Sequence, residues 1–227
     1  MRKIWVCRCT EYGHLDGGES ARLVAALRAQ GDSVELIDDL CHTAALDSGR
    51  MRELASFDVG IACYPRAVKA LFARWGLTAP MVLNLRTGNA SSLAGELGVS
   101  EALPEAAAEP EGSSEASGWV AWYPVIDYPR CVSCGKCVDF CMFGVYFKEG
   151  GRVAVEKPEN CKTNCPACAR MCPAQAIIFP KVGEVPINGA EPVETGKVDA
   201  KATAGLMDKL KARNAAGKPR LFKDDPQ

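Results

Sequence analysis

Eight of the twelve cysteines in this 227-residue sequence stand in two runs of four, and they are its strongest chemical signal. Cys131, Cys134, Cys137 and Cys141 form C-x2-C-x2-C-x3-C, a spacing that lets three thiolates wrap one iron–sulfur cubane while the fourth points away to a second cluster. Cys161, Cys165, Cys168 and Cys172, followed by Pro173, form C-x3-C-x2-C-x3-C-P. The second run carries one extra residue in its first gap, and the first has Met142 where that pattern has proline. Four thiolates can also hold zinc, and zinc sites likewise begin with C-x2-C pairs. Zinc ribbons, however, space two pairs apart and do not use two interlocked runs of four.

Subtracting eight leaves Cys7, Cys9, Cys41 and Cys63, all in the first third of the chain. Four thiolates are enough for one more cubane on these residues, or for a zinc ion, and a lone cysteine is otherwise a small buried apolar residue. His14 and His42 lie close to these cysteines in sequence and read as surface or supporting residues, a mixed Cys/His ligand set being the alternative. Arg66 and Lys69 follow Cys63 and belong to the first turns of a helix, where Arg66 could donate to sulfur or offset a negative cluster.

The elements that must position these cysteines follow from periodicity. Residues 3–8 are short, apolar and β-branched enough for a buried strand, and residues 33–37, 57–63 and 81–85 read the same way. Residues 20–30 and 67–75 show helical spacing, the first stopped by Gly31. This β-α-β alternation predicts an α/β parallel-sheet domain over residues 1–103, with Cys7, Cys9, Cys41 and Cys63 at or just beyond strand ends, the edge where open α/β sheets place their sites. Residues 104–118 turn to Pro, Glu, Ala, Ser and Gly without a basic residue and predict a flexible acidic linker. Residues 119–182 form a second unit containing an internal repeat of 30 residues, from Cys131 and from Cys161. Residues 145–148 and 152–155 read as a hairpin around Glu149-Gly150-Gly151, and residues 176–179 as a closing strand. The tail, 183–227, is mildly basic, with one short helix expected over 201–213 and an apolar pair at Leu221-Phe222.

The second unit resembles bacterial two-cluster ferredoxins over about sixty residues. The resemblance implies a pseudo-twofold α+β fold and crossed ligation, with Cys131, Cys134, Cys137 and Cys172 on one 4Fe-4S cluster and Cys141, Cys161, Cys165 and Cys168 on the other. The first unit resembles the N-terminal iron–sulfur domain of the flavin-binding subunit of heterodisulfide reductase, through Ile4-Trp5-Val6-Cys7-Arg8-Cys9, Leu40-Cys41, and Gly60-Ile61-Ala62-Cys63-Tyr64-Pro65-Arg66 leading to Phe72. That resemblance implies a third 4Fe-4S cluster on Cys7, Cys9, Cys41 and Cys63. The GxGxxG with which that family binds its flavin is absent, so flavin chemistry within this chain is not implied.

A formal net charge of -1 gives no global attraction to nucleic acid or an anionic membrane, and neither a signal-peptide core nor a bilayer-length apolar run is present, so a cytoplasmic protein is expected. In that compartment thiols stay reduced, and twelve of them point to metal rather than to disulfides. There is no Walker loop, nucleophile elbow, H-E-x-x-H or dinucleotide fingerprint, and no small-molecule substrate is predicted. The expectation is an electron carrier between a redox enzyme and a protein partner, as part of a heterodisulfide-reductase-like or related oxidoreductase complex. The alternative is a catalytic component that reduces a thiol or disulfide at the N-terminal cluster.

Overall fold

Four short apolar stretches pair into one fully parallel sheet: β1 (Lys3–Cys7), β2 (Ser33–Ile37), β3 (Val59–Ala62) and β4 (Met81–Asn84), in the order β2-β1-β3-β4. In this computed structural model residues 1–99, 103–105 and 118–192 are described. Most of the predicted linker and all of the basic tail from residue 193, with its expected helix and Leu221-Phe222, lie outside the described residues.

Each crossover of this sheet is helical. Helix α1 (Gly17–Ala29) leads to β2 and packs against α5 (Ala90–Glu96), while α2 (Leu40–Leu46), α3 (Ser48–Leu54) and α4 (Pro65–Ala73) form a second group of contacts. The predicted strands and the two long helices are present within a few residues. Helix α1 starts three residues early because Asp16 caps it, accepting from the Glu19 N–H at 2.8 Å. Helix α4 starts two early because Pro65 takes its first position, where a missing N–H costs nothing. Trp5 is fully buried on β1 and lies beside Gly60 of β3 in register; a Cβ on Gly60 would stand 2.0 Å from the indole, so only glycine admits it.

The second half is two β-α-β passes. Strand β5 (Val125–Ile126), helix α6 (Lys136–Phe140) and β6 (Tyr146–Glu149) are followed by β7 (Arg152–Val155), α7 (Ala167–Met171) and β8 (Ile177–Ile178). β5 pairs antiparallel with β8 and β6 with β7, so the first strand of each pass pairs with the second of the other. Both halves and residues 183–192 belong to one compact unit, Met1–Pro192, with a shared apolar core. Buried charges join the halves. Arg66 donates to Asp127 at 2.6 Å and to the carbonyls of Gln175, Pro186 and Ala190, and Arg86 donates to those of Pro180 and Val182 at 2.7 and 2.9 Å.

Candidate metal centres

The two cysteine runs wrap the short helices α6 and α7, and their cysteines sort into two cavities by crossing between runs. Cys131, Cys134, Cys137 and Cys172 line one cavity whose other walls include Ile126, Val153 and Ile177. Cys141, Cys161, Cys165 and Cys168 line a second, walled by Phe143, Val145 and Tyr146. Cys168 touches both.

The backbone of the two runs repeats with an offset of 31 residues. Ser133 and Asn164, each just before the second cysteine of its run, take positive φ of 50° and 63°, and Gly144 and Gln175, each three residues past the fourth cysteine, take 65° and 49°. A left-handed conformation strains a non-glycine residue, and Ser133 and Asn164 adopt it at matched places, so the two loops take the same turn. The extra residue of the second run is absorbed in a turn closed by the Cys165 N–H on the Lys162 carbonyl, and Cys161 still reaches its cavity. Donors face the sulfurs: the Ala176 N–H lies 3.3 Å from Cys172 Sγ and the Tyr146 hydroxyl 3.0 Å from Cys168 Sγ.

The four remaining cysteines also converge. The sheet order puts the switch in chain direction between β1 and β3, and Cys7 and Cys9 leave β1 there while Cys63 leaves β3. Cys41 sits in the first turn of α2, a helix the sequence did not announce, rather than at a strand end. All four line one cavity together with His14, Asp39, Pro180 and Lys181. The Leu40 N–H lies 3.4 Å from Cys7 Sγ, and the His14 N–H donates to Cys9, which takes a positive φ of 53°. Among the described residues no three His, Cys, Asp or Glu side chains close on a single metal ion. A donor set of four thiols around a cavity is what a polynuclear iron–sulfur core requires, and it fits all three sites.

Burial dominates the titration of these thiols. It pushes Cys63 and Cys161 up to about 12 and Cys137 and Cys168 to about 11, with neighbouring thiolates adding to it, and raises Cys7 and Cys41 well above the ordinary thiol range. Bare, they are neutral at physiological pH and poor nucleophiles; only cationic iron or zinc would hold them as thiolates.

One group beside the N-terminal cavity has no sequence signal. Lys181, almost fully buried, comes from the second half, donates to Glu11 Oε2 at 2.9 Å and to Asp39, and stands 4.7 Å over the Tyr12 ring. Burial alone would lower its pKa, but Cys41, Asp39 and Glu11 outweigh it and hold the ammonium above the usual lysine value. His14 is half-buried, with Nε2 2.8 Å from the Lys181 carbonyl, so it supports the wall. The His42 ring lies 5.8 Å from that of Trp119. Arg66 corrects an expectation: its donors go to Asp127 and three carbonyls of the second half and not to a sulfur. Among the described residues no helix is long and apolar enough to cross a membrane.

No family model matches the chain. It is 53% identical over 62 residues to an uncharacterized ferredoxin of Methanocaldococcus jannaschii, a match that covers 27% of this chain and 42% of that protein, less than half the relative's length. It is 39% identical over 54 residues to a second uncharacterized ferredoxin of that organism, covering 86% of it, and to a ferredoxin of Methanothermococcus thermolithotrophicus, covering 88%. Each of these last two matches takes in 23% of this chain. Nearly the full length of two such proteins is thus matched by a segment of a chain whose cysteines line paired four-thiol cavities, and the chain belongs to the ferredoxin family.

Proposed function

We propose that this protein is an iron–sulfur electron carrier with three 4Fe-4S clusters. Cys131, Cys134, Cys137 and Cys172 hold the first, Cys141, Cys161, Cys165 and Cys168 the second, and Cys7, Cys9, Cys41 and Cys63 the third. The observation that carries this reading is that all twelve cysteines line three cavities, each with at least four of them, the two in the ferredoxin segment sharing Cys168 and drawing cysteines from both runs. The clusters supply one-electron storage. The chain's own part is to keep the thiols in apolar walls, aim N–H and O–H donors at sulfur, and place the buried Lys181 ammonium near the third site, each of which acts on potential. The likeness of the first half to the iron–sulfur domain of heterodisulfide reductase supports a redox partner in such a complex.

Anaerobic reconstitution of the full chain tests the reading: about twelve iron and twelve sulfide are expected, falling to about eight when Cys7, Cys9, Cys41 and Cys63 are replaced by serine. An unaltered chain with only eight iron would remove the third cluster, and zinc in its place would leave a structural centre. One observation favours the catalytic alternative, a partly polar cavity formed by Arg8, Cys9, Thr10, Gly13, Leu15, Gly17 and Ser20, which shares Cys9 with the cavity of the four thiols. A thiol or disulfide that changes the EPR spectrum of the reduced protein through this face would favour it; a spectrum indifferent to such compounds favours the carrier.

A further inference from the structure

The two ferredoxin-type cavities are related by the 31-residue offset, yet one side-chain hydrogen bond to sulfur breaks their symmetry, the backbone donor from Ala176 to Cys172 lying in the other centre. Tyr146 opens β6 and its hydroxyl lies 3.0 Å from Cys168 Sγ, buried beside the cavity of Cys141, Cys161, Cys165 and Cys168. Its counterpart one offset later is Ile177, which opens β8 and lines the other cavity beside Cys137, the counterpart of Cys168. Isoleucine has nothing to donate. The one phenol in this pair of matched positions therefore faces the sulfur of one centre only.

A donor to a ligating sulfur delocalises negative charge and stabilises the reduced state more than the oxidised one, so it raises the reduction potential of its own cluster. We propose that Tyr146 is a positioning residue that makes the centre of Cys141, Cys161, Cys165 and Cys168 the more easily reduced of the pair. The first electron to enter then rests there, and the centre of Cys131, Cys134, Cys137 and Cys172 is the one that passes it on or fills second. This rests on the assignment of clusters to these cysteines given above.

The test is a redox titration of the full chain followed by EPR, with iron and sulfide measured on every sample. Tyr146→Phe removes one oxygen and leaves the ring in its apolar wall. The expected result is full iron content and a lower midpoint for one centre, its reduced-to-oxidised ratio at fixed ambient potential falling roughly tenfold, about 59 mV for one electron, while the other centre does not move. Incorporation of 3-fluorotyrosine, a stronger donor of nearly the same shape, is expected to shift the same centre the opposite way. Full iron with an unmoved midpoint in both preparations, or equal movement of both centres, overturns the inference alone. Unaltered protein without iron at these cysteines overturns the cluster assignment and this inference with it.

Discussion

Arg66 shows how the desolvation cost of a buried charged side chain is offset by partners for its donors. Its side chain is 6% exposed and meets Asp127 at 12%, while its remaining donors reach carbonyls from three separate places in the second half. Removing one partner of such a pair leaves the other uncompensated, so Arg66→Ala is expected to cost about 3–5 kcal/mol in chemical unfolding, and Asp127→Asn less, because the amide still accepts. At Cys172 the expectation is chemical: Cys172→Ala should deplete iron from the centre that shares its cavity with Cys131, Cys134 and Cys137, as seen by EPR, and loss confined to the other centre would refute the crossed assignment. Cys63 gives a pH dependence for the metal-free chain. Its folded pKa, pushed by burial and then by Cys9 to about 12, lies above the ordinary 9.0, so the stability it contributes is full below pH 9 and is lost as pH rises toward 12. Metal-free protein should therefore unfold at lower urea at about pH 10.5 than at about pH 8, and equal midpoints would contradict this.

At the scale of elements, glycine sets the closest approach in the sheet. Gly60→Ala would drive a methyl into the Trp5 indole, which is fixed between Phe72 and a bond to the Leu54 carbonyl, so a loss at or above the usual 1–3 kcal/mol of overpacking is expected by thermal unfolding. The strands of the parallel sheet and helices α1 and α4 were legible because their apolar periodicity is strong. The seven-residue helices α2, α3 and α5 were not, since fewer than two turns carry little period; their signals are the capping side chains of Asp39, Asp47 and Asn89, which read equally as turn residues. That miss matters at Cys41, which a helix rather than a strand end delivers to the cavity. The two cysteine runs were legible because their chemistry is written in local spacing. Lys181 and Tyr146 were not, since Lys181 meets Asp39 across 142 residues and a phenol in a strand reads as packing.

The whole molecule differs from two beads on a string over residues 1–192. Pro180 and Lys181 of the second half complete the cavity of Cys7, Cys9, Cys41 and Cys63, and Tyr123 ties its hydroxyl to the Cys41 carbonyl at 2.7 Å. A fragment of residues 1–99 is therefore expected to hold far less iron than its four cysteines permit, whereas Lys181→Met in the full chain should keep the iron and lower the midpoint of that centre by removing a buried positive charge. Retention of about four iron by the fragment would make the first half self-sufficient. The order of the chain then has a consequence for biogenesis. Cys63, the last of these four thiols in the chain, is translated more than a hundred residues before the Pro180 and Lys181 that complete the cavity. A cluster of the kind proposed for this site would therefore be delivered to an open edge before that segment is made and to a closed one after it.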